Sequence, residues 1–253
     1  MKIITTIVLW IALFHIAKGQ IKEISEFKIK MSSGKLIVDH VDNVTFEGYD
    51  GSEIVISSHI KANSNSERAK GLRVINGLGL EDNTDGLGLA MEKNSDKITL
   101  KQVSRRANNK YTIKVPKNVT ISYEYSTHQG DEVTFQDIES EIEVSTLHND
   151  VRLENVTGPL IINTVHGDIE VLFTNLKQEN LIDIASVHGL IDITFPKNIK
   201  AHLRLETDWG EILTNIKIDI QKQDTNEVIG KLNGGGVNLS ITSTHGNIYL
   251  REK

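Results

Sequence analysis

Apolar and polar residues alternate over short stretches through most of the chain, and a recurring phrase joins one stretch to the next. Apolar side chains occupy every second position before each join, as in Leu160 and Ile162. They resume the alternation after it, as in Ile169 and Val171. A period of two is typical of a β-strand with one buried face. The pattern therefore predicts a unit of strand, sharp corner and strand that repeats along the chain.

The joins share a motif in which a hydroxyl residue is followed by a histidine or tryptophan and then by glycine. The interval between copies is mostly about twenty residues, a period typical of stacked repeats, and a distorted copy spans 126–131. Glycine lets the backbone turn without a Cβ clash. We predict that the following residues form the structural corners of the repeats: His148, His166, Gly167, His188, Gly189, Trp209, Gly210, His245 and Gly246.

These patterns predict an all-β fold, a repeated-strand β-solenoid similar to a β-helix, with short corners and a β-rich N-terminal half. The N-terminal β part spans 20–118, and the clearest repeats occupy 119–253. One unit cannot bury its own apolar face, so neighbouring units must stack on each other. We therefore predict that 20–253 form a single elongated domain.

Residues 1–19 have the order of a secretory signal peptide, with a basic start, a short apolar run and small residues before Gln20. The apolar run is too short to favour a transmembrane anchor. The chain contains no Cys, which excludes both a lipoprotein anchor and disulfide bonds. We predict an exported protein without a transmembrane anchor, located in the periplasm, on the outer-membrane surface or outside the cell.

The formal net charge is −6, and the charged residues are spread along the chain. Proteins that bind nucleic acid usually present a basic face to the phosphates. We therefore expect no nucleic-acid partner.

An acidic turn lies between two Gly-Leu-Gly-Leu stretches within 71–89. The glycine spacing matches neither a P-loop nor a dinucleotide-binding fingerprint, so a loop folded back on itself is the main interpretation. The alternative is a Ca²⁺ site formed by Glu81, Asp82, Asn83 and Asp85, although the EF-hand spacing is missing.

Stacked repeats would place the histidines in a column about 4.8 Å apart, and such a column could bind Zn²⁺ or Cu²⁺. Two observations favour a structural role instead. His166, His188 and His245 share the parity of the apolar positions before them, and Trp209 takes the same place in another copy. We predict that these side chains point inward and that the chain binds no metal and no cofactor.

The sequence carries no recognised signature of nucleophilic catalysis, because no Gly-x-Ser-x-Gly motif occurs. The carboxylates Asp150, Asp168, Asp183 and Asp192 fall at strand ends or on outward positions, as on an ordinary solvated face. We expect a protein that is not an enzyme. The alternative is a polysaccharide-acting lyase or hydrolase on a β-helical scaffold, which a groove of carboxylates with Arg on one face would favour.

Six segments taken together resemble the bacterial putative-adhesin family, and they extend over nearly the whole mature chain. They are 71–84, 111–116, 143–148, 154–160, 165–170 and 233–236. The resemblance implies an exported, Bacteroidetes-type β-repeat domain of unknown biochemical role in the cell envelope, and it brings no catalytic residues. On this basis we predict an adhesin-like protein whose repeat surface binds another macromolecule, either an envelope protein or a glycan.

Overall fold

The structure is a computed structural model that describes residues 25–58, 79–104, 109–177 and 180–253. The described residues form twenty-one strands and no helix, arranged in two large sheets. The predicted all-β, repeated-strand β-solenoid is confirmed. The predicted signal peptide, residues 1–19, lies outside the described residues.

The short alternating runs of the N-terminal part form most of the strands expected there. The strands up to the first regular repeat are β1 (Ser25–Lys30), β2 (Ser33–Asp39), β3 (Val44–Tyr49), β4 (Glu53–Ser58), β5 (Leu89–Asn94), β6 (Lys97–Gln102), β7 (Tyr111–Pro116), β8 (Asn118–Tyr125) and β9 (Glu132–Gln136).

In the C-terminal part each repeat contributes one strand before its corner and one after it. The strands are β10 (Ile142–Thr146), β11 (Asp150–Glu154), β12 (Leu160–Thr164), β13 (Ile169–Leu172), β14 (Leu181–Ser186), β15 (Ile191–Phe195), β16 (Ala201–Thr207), β17 (Ile212–Thr214), β18 (Asp219–Gln223), β19 (Glu227–Leu232), β20 (Val237–Ser243) and β21 (Ile248–Glu252).

Strands before and after the corners separate into the two sheets. The first sheet has the order β1-β4-β7-β3-β9-β11-β13-β15-β21-β17, and the second has the order β18-β19-β16-β20-β14-β12-β10-β8-β2-β6-β5. Pairing is parallel among the repeats, whereas β1, β4, β5, β18 and β19 pair antiparallel with their neighbours. Side chains of both sheets meet in one continuous apolar core.

The register of the repeats keeps equivalent side chains side by side. Val144 pairs with Ile162, Ile162 with Ile184, and Ile184 with Ile241, and all four are buried. Burying one such side chain stabilises a fold by about 1.5–3 kcal/mol. A register slip by one residue would turn each row to solvent, so the alternation of the sequence determines the stacking.

The last two repeats do not stack in sequence order. Strand β20 lies between β14 and β16, so the final repeat inserts between two earlier ones. After β17 the chain forms the β18–β19 hairpin, and β19 pairs antiparallel with the outer edge of β16. Because that edge is occupied, the returning chain pairs with the opposite edge of β16.

The N-terminal part joins the same sheets as the repeats. Strand β8 pairs with β2 on one side and with β10 on the other, while β3 lies between β7 and β9. The sequence boundary between 118 and 119 falls inside β8. Both predicted parts therefore contribute to both sheets, and the extent of a single domain over 20–253 stays a prediction.

Candidate functional site

Three of the corners are held by a buried hydroxyl group, that of Thr164, Thr207 or Ser243, at the end of the strand before the corner. The backbone N–H of Gly167 donates to Thr164 Oγ1 at 3.1 Å, and Gly246 N–H donates to Ser243 Oγ at 2.9 Å. Such a bond gives a partner to a backbone N–H that would otherwise be buried without one. The sequence analysis recognised these Ser and Thr residues as part of the recurring motif but assigned them no role. Their fixed place three residues before the glycine was the signal for this role.

Glycine is required in the corners by the neighbouring repeat. A Cβ on Gly189 would lie 2.0 Å from the carbonyl oxygen of Gly167, and one on Gly246 would lie 2.0 Å from that of Gly189. Neither glycine belongs to the positive-φ glycines of the described chain. The expectation that glycine serves the turn itself is therefore replaced by close backbone approach between repeats.

The histidine side chains point outward, contrary to the inward orientation predicted from their parity. Thr164 and Gly167 are buried, whereas His166 between them is exposed, and His148, His188 and His245 are exposed as well. Strict alternation of faces holds only within a strand. Strand β12 ends at Thr164, and the bend that follows rotates the chain, so the glycine takes the inward position.

The exposed rings stack into a continuous column, which we call the ring ridge (His148, His166, His188, His245 and Trp209). Its ring centroids are 4.5, 4.7 and 4.7 Å apart from His148 to His245, and the last step to Trp209 is 6.4 Å. The planes of His188 and His245 differ by only 3°. Trp209 ends the ridge beyond His245, as the strand order requires, and its side chain is 78% exposed.

Stacking lowers the pKa of one histidine of the ridge, His166. The pKa of His166 lies below its usual value, first because its neighbours displace solvent and then because charges on His148 and His188 would repel its own. Neutral imidazoles can stack closely, while adjacent imidazolium ions at this spacing repel one another. His166 is therefore predominantly neutral at neutral pH.

The geometry of the ridge does not suit chelation of one metal ion. A bound Zn²⁺ needs in-plane nitrogen lone pairs that converge at about 2.0–2.1 Å. The planes of His166 and His188 differ by 6°, so the in-plane lone pairs of these neighbours run side by side and do not converge. No group of three or more His, Cys, Asp or Glu in the described ranges is arranged to hold a metal ion. The absence of a metal stays a prediction that this geometry supports.

The acidic turn uses its side chains to hold the loop. The Asp82 carboxylate accepts hydrogen bonds from the Thr84 N–H at 2.8 Å and from the Gly88 N–H at 2.8 Å. The Asn83 amide donates to the Met91 carbonyl and accepts from the Met91 N–H. These contacts support the folded-back loop in its described part, 79–89, because Asp82 and Asn83 of the residues considered for Ca²⁺ are already engaged, while residues 71–78 lie outside the described residues.

In the part of the chain that the structure describes, arginine and carboxylate side chains do not form a groove of the kind that the lyase or hydrolase alternative requires. Arg152 and Arg251 lie on outward faces of the first sheet, and Arg251 pairs with Asp192 at 2.8 Å. A cleft of about 500 Å³ places Lys117 between Glu139 at 2.8 Å and Asp50 at 3.0 Å. Lys117 donates hydrogen bonds to Glu139 and Asp50, which raise its pKa, so Lys117 stays protonated and is not available as a base.

Comparison with known proteins agrees with the stacked architecture. The family model described as Toastrack DUF4097 matches residues 14–251. The chain belongs to the Toastrack DUF4097 family. No curated protein matches this Toastrack chain in sequence.

A solved structure of low sequence identity shares the fold of this Toastrack chain. A putative cell adhesion protein from Clostridium sporogenes is 12% identical with a TM-score of 0.50, and the match covers 91% of this chain and 100% of that one. A putative adhesin from Bacteroides fragilis is 13% identical with a TM-score of 0.37, covering 90% and 97% of the two chains. The part of the Toastrack chain that the structure describes contains no helix suited to cross a membrane.

Proposed function

We propose that this Toastrack protein is exported and acts in the cell envelope as an adhesin-like binding protein. In this proposal the ring ridge binds another macromolecule, either an envelope protein or a glycan, and catalyses no reaction on it. The names of the Clostridium and Bacteroides structures, a cell adhesion protein and an adhesin, support this role. The predicted signal peptide supports export.

The observation that carries the proposal is the exposure of the ridge. Trp209 is 78% exposed, and Val187, which precedes His188, is 36% exposed. A large aromatic side chain held in water gains little for the fold, whereas tryptophan is prominent among the side chains that dominate binding interfaces. The four stacked histidines present ring edges and ring nitrogens at a regular spacing, and Trp209 extends the row, which fits an extended partner better than a small molecule.

The test is binding of the mature protein to purified envelope fractions, with variants that remove ridge rings. Trp209→Ala and His188→Ala should each weaken binding at least tenfold while the protein stays folded. His202→Ala is the matched control, because His202 is an exposed histidine on β16 that takes no part in the ring stack. Equal binding by all variants would reject the ridge as the contact surface. Treatment of the fraction with protease or with glycosidase would then separate a protein partner from a glycan.

A further inference from the structure

The end of the stack near β8 holds a hydrogen-bonded chain of side chains that no sequence motif indicated. Asp39 is the last residue of β2, and His40 follows it, while Ser126 follows the last residue of β8. Parallel pairing places Asp39 opposite both Glu124 on β8 and Lys101 on β6. Residues far apart in sequence therefore meet where these three neighbouring strands end.

The imidazole of His40 is hydrogen bonded through both of its ring nitrogens. Nδ1 of His40 is hydrogen bonded to Asp39 Oδ1, and Nε2 lies 2.8 Å from Ser126 Oγ. The backbone N–H of Ser126 also donates to Nε2 at 3.3 Å. A backbone N–H can only donate, so Nε2 must carry the lone pair and the ring proton must lie on Nδ1, facing Asp39. This is the tautomer in which a histidine can accept a proton from a serine hydroxyl.

The carboxylate behind the histidine is held in its ionised form. Burial alone would raise the pKa of Asp39, but hydrogen bonds from Lys101 and His40, and their charges, bring it below its usual value. Lys101 Nζ contacts Asp39 Oδ2 at 2.8 Å, which leaves Oδ1 to His40. His40 itself has a φ of 54°, an uncommon conformation for a residue other than glycine, of a kind that occurs at functional sites.

The hydrogen-bonded side chains border a cavity that is larger than the cleft at Lys117. This cavity has a volume of about 860 Å³, and Ser126, which is exposed, lines it together with His40. Tyr125 and Leu147 add apolar surface, and Gln129 brings an amide of the kind that can donate to an oxyanion. The site has a nucleophile, a base, an orienting carboxylate and room for a substrate.

We propose that Asp39, His40 and Ser126 form a catalytic triad that hydrolyses carboxylic esters. This activity is separate from the ridge and departs from the expectation that the protein is not an enzyme. Esters are the favoured class because an alcohol leaves a tetrahedral intermediate more readily than an amine does.

In the first half-reaction Ser126 Oγ adds to the ester carbonyl carbon, and its proton passes to His40 Nε2. The intermediate then expels the alcohol, which takes that proton, and leaves an acyl group on Ser126. In the second half-reaction His40 takes a proton from water, whose oxygen adds to the acyl carbon. Ser126 leaves with the proton from His40, and the carboxylic acid is released.

The first test is covalent labelling of the full chain with a fluorophosphonate, mapped by mass spectrometry. Ser126 should be labelled in the wild type, and His40→Asn should slow labelling at least tenfold. Asparagine tolerates the left-handed backbone of His40, so this variant removes the base with little strain. Ser126→Ala should abolish both the label and hydrolysis of 4-nitrophenyl acetate above the background of the other histidines. Absence of labelling at Ser126, or labelling that survives His40→Asn, would overturn the proposal.

The second test measures the base directly and needs no substrate. The chain has no Cys, so Ser126→Cys introduces a single thiol beside His40, and Ser145→Cys places a control thiol at an exposed position on β10. A paired histidine lowers a thiol pKa from about 8.5 by one unit or more. Alkylation of the Ser126→Cys variant at pH 6 should therefore be at least tenfold faster than that of Ser145→Cys. Identical pH profiles for the two thiols would show that His40 does not act as a base and would overturn the triad.

Discussion

The regular corners differ from the irregular corner, where β2 and β8 end, in the residues that lie next to each other. In the regular corners every repeat contacts a near-copy of itself, so one solution recurs, with a buried hydroxyl, an outward ring and a glycine against the next carbonyl. At the other corner unlike residues from different strands, His40 and Ser126, contact each other, and a cavity opens there.

The comparison shows how repetition restricts chemistry. A column of identical residues places like groups next to each other, which favours stacking and hydrogen bonding between backbones. Where the repeat is broken, a lysine, a carboxylate, an imidazole and a hydroxyl from three strands come into contact. Unlike groups in contact are what proton transfer requires, so the irregular corner is where we place the proposed activity.

Among variants that test the packing of the regular corners, we expect the largest loss of stability from Gly189→Ala. The new Cβ would lie 2.0 Å from the carbonyl oxygen of Gly167, so backbones of two repeats must separate. We expect a loss of about 3 kcal/mol or more in the free energy of unfolding, measured by urea denaturation. Gly86→Ala is the control, because a Cβ there meets nothing within 4 Å and only the φ of 89° costs energy. Its loss should be about 1–2 kcal/mol, and equal losses would contradict the role of close approach.

A smaller effect is expected from the corner hydroxyls, and two equivalent serines provide the contrast. Ser243→Ala removes the acceptor of the Gly246 N–H and should cost about 1–3 kcal/mol of unfolding free energy. The buried Oγ of Ser186 has no hydrogen-bond partner within the described chain, so Ser186→Ala should cost under about 0.5 kcal/mol or stabilise. Denaturation of both variants side by side measures the difference. A larger loss for Ser186→Ala would reject this account of the corner.

The smallest effect concerns the pH dependence of the ridge. The pKa of His166 is lower in the folded chain than its ordinary value of 6.5, so the unfolded chain binds the proton more readily. Stability from this residue is therefore complete above about pH 6.5 and is lost as the pH falls below that value. His166→Phe keeps a flat ring and should make the melting temperature less sensitive to pH between about 7 and 5.

His202→Phe is the matched control for that measurement, since His202 is exposed and lies on β16 outside the ring stack. It should keep the pH profile of the wild type. A wild-type profile in His166→Phe would show that stacking does not affect protonation in the ridge.

Local sequence pattern was sufficient for the strands and for the class of fold. Alternation in runs such as 160–164 and 182–186 specifies which face of each strand is buried, and the glycine that recurs in the corners marks where neighbouring repeats touch. The family followed from segments spread over the chain, and the family match over 14–251 agrees with it. These features depend on neighbours in sequence, so the sequence contains their cause.

Only the tertiary structure decided which way the corner side chains point and in which order the repeats stack. The inward orientation predicted for His166 was wrong because alternation ends where the strand ends, and the bend then turns the ring to solvent. The insertion of β20 between β14 and β16 depends on β19 occupying the far edge of β16. Likewise, His40 and Ser126 are separated by 86 residues and meet only because parallel strands end together. Pairing between distant segments determines these contacts, and no local pattern records it.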